Sequence, residues 1–182
     1  MSSACHSVAA ALVVMIAAST ASPPVLHEGV DVDAAARALA SKALAFPVKG
    51  YERALRDNFE EQRLGVRHEA LDIMAPRGTP VVAVDDGTVA KFFRSLAGGL
   101  TIYQFDPSGT LAYYYAHLDR YESGIHEGDA VRRGQVIGYV GSSGNARADA
   151  PHLHFTVYAL GPGKQWWKGV AINPYRPLAS VR

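Results

Sequence analysis

From Thr79 onward the chain consists of short runs of β-branched and aromatic residues, each closed by glycine, proline or aspartate. TPVVAVDDGTVAKFF (79–93) reads as two strands about a reversal at Asp85-Asp86-Gly87. LTIYQFDPSGTLAYYYAHL (100–118) reads as a hairpin with Asp106-Pro107-Ser108-Gly109 as its turn. DAVRRGQVIGYVGSSG (129–144) gives a further strand punctuated by glycine, and the loop NARADA leads into PHLHFTVY. Strands this short at this spacing predict a mainly β fold, an antiparallel sheet of the barrel or sandwich kind. Ahead of them, DAAARALASKALA (33–45) predicts a short N-terminal helix with Asp33 as N-cap, ended by Phe46-Pro47.

PHLHFTVY raises the first question of chemistry. Alternate residues of a strand share a face, so Leu153, Phe155 and Val157 form an apolar side. His152, His154, Thr156 and Tyr158 lie on the other. A second polar group is RHEALDI, whose spacing puts His68 and Asp72 on one face of a strand or helical turn. A third is His117 in YYYAHLDR, which alternation places with Tyr113 and Tyr115. Tyr115 is read as a packing residue with its hydroxyl at the surface.

Each group alone reads as ordinary surface polarity. Together they are harder to set aside. Of seven histidines, two precede Val30 and His126 lies in the loop SGIHEGD; the other four fall on predicted strands or at their ends, as does Asp72. Imidazole nitrogen and carboxylate oxygen suit zinc, and a catalytic zinc takes three protein ligands. The set offers two imidazoles and a carboxylate with two imidazoles to spare, although spacing does not tell His152 from His154. The spare imidazoles are suited to moving protons near neutral pH.

The rest of the composition narrows the classes. A net charge of +1 gives no electrostatic case for nucleic acid. The uncharged apolar run from Val8 to Ala18 is short for a bilayer span and has the length of a signal-peptide core, with small residues at 18–22 for cleavage. Residues 1–22 are therefore read as a signal peptide, 23–46 as a helical extension and 47–182 as the working domain. The chain is expected to be exported, periplasmic or extracellular, with no membrane span once the leader is removed. The single cysteine, Cys5, lies in that leader, so disulfides and thiolate metal sites are excluded from the mature chain.

The segments RHEALDIMAPRGTPVVAVDDGTV, YYYAHL, GDAVRRGQVIGYVGSSGNARADAPHLHF and INPYRPL, in this order, closely resemble the lysostaphin/LytM-type zinc endopeptidases. The resemblance runs from near Phe59 to near Pro177. It implies a catalytic sheet with an open groove, Zn2+ held by His68, Asp72 and His154, and catalytic roles for His117 and His152. It also implies peptidoglycan stem peptides or cross-bridges as substrate. Two positions depart from the pattern: Ala70 and Glu60 stand where the family usually has glycine.

Two rivals are weighed. A non-hydrolytic domain of the same fold that activates another cell-wall hydrolase should have lost ligands, and all five side chains are present. A biotinyl or lipoyl carrier needs a lysine in the hairpin after a strand like GDAVRRGQVIGYVGS, where this chain has Gly141-Ser142-Ser143-Gly144. Trp166 and Trp167 in the tail are read as packing residues, one turned inward and one covering a surface, with glycan stacking as the alternative.

Overall fold

The structure, a computed structural model, describes residues 29–63 and 65–181. The leader read at residues 1–22, with Cys5, lies outside the described residues. Helix α1 (Val32–Ala40) is followed by a two-stranded hairpin of β1 (Gln62–Arg63) and β2 (Val66–Arg67). Then come β3 (Leu71–Met74), β4 (Pro80–Val82), β5 (Gly87–Ser95), β6 (Gly99–Phe105), β7 (Leu111–Tyr121) and β8 (Ala130–Val131). The chain closes with β9 (Val136–Val140), β10 (His152–Leu160), β11 (Gly169–Ile172) and α2 (Tyr175–Ala179). The mainly β expectation holds, and no helix among the described residues is long and apolar enough to cross a membrane.

Nine strands form one antiparallel sheet ordered β11-β10-β7-β6-β5-β8, with β3 added to β10 and the β4–β9 pair joined through β7. Strand β10 is the hub. One edge pairs with β7, and the other is shared by β3 over Phe155 to His152 and by β11 over Val157 to Leu160. Alternation sends Leu153, Phe155 and Val157 inward to complete burial, beside Leu71, Ile73, Tyr113 and Tyr115. Burying a ring such as Phe155 stabilises the fold by about 1.5–3 kcal/mol. The same cluster takes in Ala35 and Leu39 of α1 and Leu44, Phe46 and Val48 of the segment behind it.

Two local expectations are corrected. The helix starts and stops earlier than its propensity suggests: Asp31, not Asp33, caps it, accepting from the Ala34 N–H at 2.8 Å. Asp33 instead lies in the first turn, where its charge complements the helix dipole. The helix ends at Ala40, because Leu44 and Phe46 are buried as the chain runs extended, with Ala45 N–H bonded to Val84 O at 2.7 Å. Around Asp85-Asp86-Gly87 both strands exist but do not pair with each other: β4 joins β9, while β5 joins β6 and β8. The hairpin at 106–109 forms as read, with Gly109 at φ +66° and its N–H on Asp106 O at 2.9 Å.

Candidate active site

The β10 register decides what meets what. His154 lies opposite Asp72 of β3 on one side and Ala116 of β7 on the other. In β3, Leu71 and Ile73 point into the core, which turns Asp72 to the face of His154. His68 lies outside any strand. Glu69 takes φ +55° and Ala70 is fully buried, and this turn brings His68 back beside Asp72. Ala70, at the position where the resemblance expects glycine, thus packs as a core residue.

Three atoms converge. Asp72 Oδ1 is 3.1 Å from His68 Nε2 and 3.1 Å from His154 Nδ1, and the two nitrogens are 3.2 Å apart. The remaining two imidazoles border this triangle. His152 Nε2 is 3.6 Å from Asp72 Oδ1, and the His117 ring lies 4.9 Å from that of His152 and 5.3 Å from that of His154.

His117 reaches the triangle by breaking the rule that placed it with Tyr113 and Tyr115. The β6–β7 register slips between the Leu100–Leu118 and Ile102–Tyr115 pairs, and His117 takes φ +59° with its N–H on Gly98 O at 2.8 Å. This bulge turns the imidazole to the opposite face from the two tyrosines, at a conformational cost of order 1–3 kcal/mol. Tyr115 is corrected as well. Its hydroxyl is buried, donating to Gln104 Oε1 at 2.8 Å and accepting from Val84 N–H at 3.0 Å.

Backbone carbonyls set the imidazole tautomers. His68 Nδ1 lies 3.0 Å from Asn58 O, His117 Nδ1 2.8 Å from Ser143 O, and His152 Nδ1 2.9 Å from Ala150 O. A carbonyl only accepts, so each Nδ1 carries the hydrogen and each Nε2 presents a lone pair. Burial pushes His117 down to about 4, partly offset by the Ser143 carbonyl, so the ring is neutral at pH 7. Burial also lowers His154. For Asp72 burial acts upward, but the close His154 and His68 imidazoles and the Arg63 guanidinium outweigh it and hold the carboxyl below the usual range.

Sequence reading missed the partners that steady these groups. Arg63, carried over the site by the β1–β2 hairpin, donates to Asp72 Oδ2 at 2.8 Å. Asn58 serves twice, through its carbonyl on His68 and its Oδ1 on the Asp72 N–H at 3.3 Å. Neither lies at a motif spacing; only the chain's return over the sheet brings them in. The cluster opens into a groove of about 340 Å³ bounded by Arg63, Met74, His117, Asn145, Arg147 and His152.

A triangle of two imidazoles and a carboxylate on a β-sheet, with further imidazoles at its edge, is the donor set of a metallohydrolase. The profile of Peptidase family M23 matches residues 66–174, more than half of the sequence, and the chain belongs to that family. It is 37% identical over 116 residues to the L-Ala--D-Glu endopeptidase of Bacillus subtilis, an overlap of 61% of this chain and 34% of that protein. It is 36% identical over 92 residues to lysostaphin of Staphylococcus simulans, covering 50% of this chain and 18% of that one. Among solved structures, the catalytic domain of lysostaphin superposes with a TM-score of 0.56 at 28% identity, covering 80% of this chain and 98% of that domain. The resemblance read from the motifs and the mainly β fold agree with these matches. The chain spans about a third or less of the curated relatives named here.

Proposed function

We propose that the protein is an exported zinc-dependent endopeptidase that hydrolyses peptide bonds in the stem peptides or cross-bridges of bacterial peptidoglycan. The observation that carries this reading is the His68–Asp72–His154 triangle, whose edges are 3.1, 3.1 and 3.2 Å. His68 Nε2 and Asp72 Oδ1 present lone pairs to one point, and His154 Nδ1 does the same once its hydrogen is on Nε2, so a cation among them satisfies all three. A tetrahedral ion bonded at about 2.0–2.1 Å holds its ligands about 3.3 Å apart, so the triangle fits zinc with little movement. The substrate class is carried over from the relatives, one of which, from Vibrio cholerae, is named a peptidoglycan DD-endopeptidase.

In this reading His68, Asp72 and His154 hold the ion, and Arg63 fixes the outer oxygen of Asp72. Zinc, when bound, supplies Lewis acidity towards the scissile carbonyl and an activated water. His117 and His152 face the groove with Nε2 free, because their Nδ1 hydrogens are committed to Ser143 and Ala150. Each Nε2 can take a proton from the attacking water and deliver one to the leaving amine. A protonated imidazole there also steadies the negative charge that develops on the carbonyl oxygen. Residues 1–22 are assigned to export as a leader, 23–46 to a helical extension and 47–182 to the catalytic domain.

Digesting purified sacculi with the protein, with and without chelator, and identifying the products by mass spectrometry tests the proposal. New amino termini within the peptides, lost with chelator and restored by zinc, are expected. Unchanged sacculi, or cutting indifferent to chelator, would refute it. The activator alternative predicts intact peptides together with stimulation of a second hydrolase.

A further inference from the structure

On the face of the sheet that carries the imidazoles, a row of aromatic rings leads away from His154. Tyr114 of β7 stands edge-on to His154, ring centroids 6.1 Å apart. Tyr158 of β10 lies 6.0 Å from Tyr114, and Tyr103 of β6 lies 4.7 Å from it. Trp166 follows at 4.9 Å from Tyr103, packs on Phe93 at 5.1 Å and meets Trp167 edge-on at 5.3 Å. Three adjacent strands thus each give one tyrosine to the same face, and the loop before β11 adds two tryptophans.

The row ends in a concavity of about 100 Å³ lined by Tyr103, Tyr158, Trp166, Trp167 and Gly169. Its floor admits no side chain at 169. A Cβ on Gly169 would come within 2.8 Å of Tyr158 Cβ and 2.9 Å of Ala159 O. Residues that only pack conceal their faces, yet Trp167 is 62% exposed and Phe93 40% exposed. The lining joins flat apolar faces to phenol hydroxyls, which suits a ligand that is apolar on one face and polar at its rim. A pyranose ring has that form, with axial C–H groups on one face and hydroxyl and amide groups around the edge. An alkyl chain or an apolar peptide side chain would make no use of the hydroxyls.

We propose that this row is a glycan subsite, seating an N-acetylated sugar ring against Trp167 while the peptide attached to the strand reaches the imidazole cluster. The inference rests on the peptidoglycan reading above and adds to it: the protein selects peptides still joined to sugar. The continuity of the row with His154 is what makes one substrate span both.

The test compares kcat/KM for a glycan-linked muropeptide with that for the same stem peptide freed of sugar. Alongside it, a chito-oligosaccharide is titrated against tryptophan fluorescence. The wild-type protein should prefer the linked substrate and show a saturable fluorescence change. Trp167→Ala should cut the preference ratio and the oligosaccharide affinity about five- to tenfold, as the loss of one stacking contact implies. Trp167→Phe should restore most of both, which separates a stacking role from misfolding. Leu96→Ala, at an exposed position outside the row, should leave the ratio at its wild-type value. An unchanged ratio and affinity in Trp167→Ala would overturn the subsite. If the wild-type protein cleaves neither substrate the peptidase reading fails instead, and the titration alone then decides whether the row binds sugar.

Discussion

Two aspartates largely withdrawn from solvent, Asp106 at the β6–β7 turn and Asp72 in β3, are satisfied in opposite ways. Asp106 starts the β6–β7 turn and collects donors: Thr110 N–H and Leu111 N–H at 2.9 Å each, Ser108 Oγ at 2.7 Å and Lys42 Nζ at 3.2 Å. Lys42 also reaches Asp85 at 2.8 Å, where the Tyr113 hydroxyl donates as well. Every acceptor there has a hydrogen aimed at it. Asp72 has Arg63 on its outer oxygen, while its inner oxygen faces imidazoles, of which only that of His154 is not tied to a backbone carbonyl. His68 and His152 have already spent their hydrogens on backbone carbonyls. The first region is closed by its own donors; the second has a surplus of acceptors. Burial of a charged group does not mark a site, since both regions show it. An excess of lone pairs converging on one point does.

The contrast can be broken most decisively at the triangle. His68→Ala, Asp72→Asn or His154→Ala should each lower hydrolysis of sacculi by about 10³-fold or more and reduce zinc, measured by inductively coupled plasma mass spectrometry, to traces. Stoichiometric zinc in any of them would remove that residue from the ligand set. Next in size is His117→Ala, for which zinc should stay bound while turnover falls about 10²–10⁴-fold. Turnover near the wild-type value would show that the bulge serves packing only. Arg63→Ala should weaken zinc about 10–100-fold in a chelator competition, because the carboxylate loses the partner that orients it.

Around Asp106 the same kind of change should leave the metal alone. Asp106→Asn should bind zinc normally but unfold in urea with a stability about 1–3 kcal/mol lower, since buried donors lose their acceptor. Lost zinc there would erase the distinction between the two regions. The smallest effect concerns pH. Burial raises Asp106, but the Leu111 N–H, Ser108 and Lys42 outweigh it, so its folded pKa lies below the ordinary carboxylate value near ~3.9. That stabilisation is present above the unfolded pKa and is lost as pH falls through the folded one. Urea midpoints taken from pH 5 down to pH 2 should therefore fall less steeply in Asp106→Asn than in the wild-type protein.

Particular residues show how far the sequence could be read. The β10 alternation, the 106–109 turn and the chemical identity of the donor set were legible, because strand period and turn chemistry are local properties. The helix limits were not. Asp31 and Asp33 are both able to cap, and the burial of Leu44 and Phe46 determines where the chain must leave the helix. The face of His117 was misread for a like reason. A bulge inverts the alternation beyond it, and only the slipped pairing with β6 reveals one.

What the sequence by itself determined is the inventory: a mainly β chain, nitrogen and oxygen donors without thiols in the part read as mature, and four imidazoles and one carboxylate kept on or beside strands. Tertiary structure alone decided the arrangement. It set His154 opposite Asp72, turned His117 out of the core, swung Arg63 over the carboxylate and assigned the hydrogens of His68 and His117 to the distant carbonyls of Asn58 and Ser143. The reason is physical. Periodicity fixes which face a residue takes relative to its neighbours in the chain, whereas a site is made by residues far apart in sequence, and register, bulges and returning loops alone bring those together.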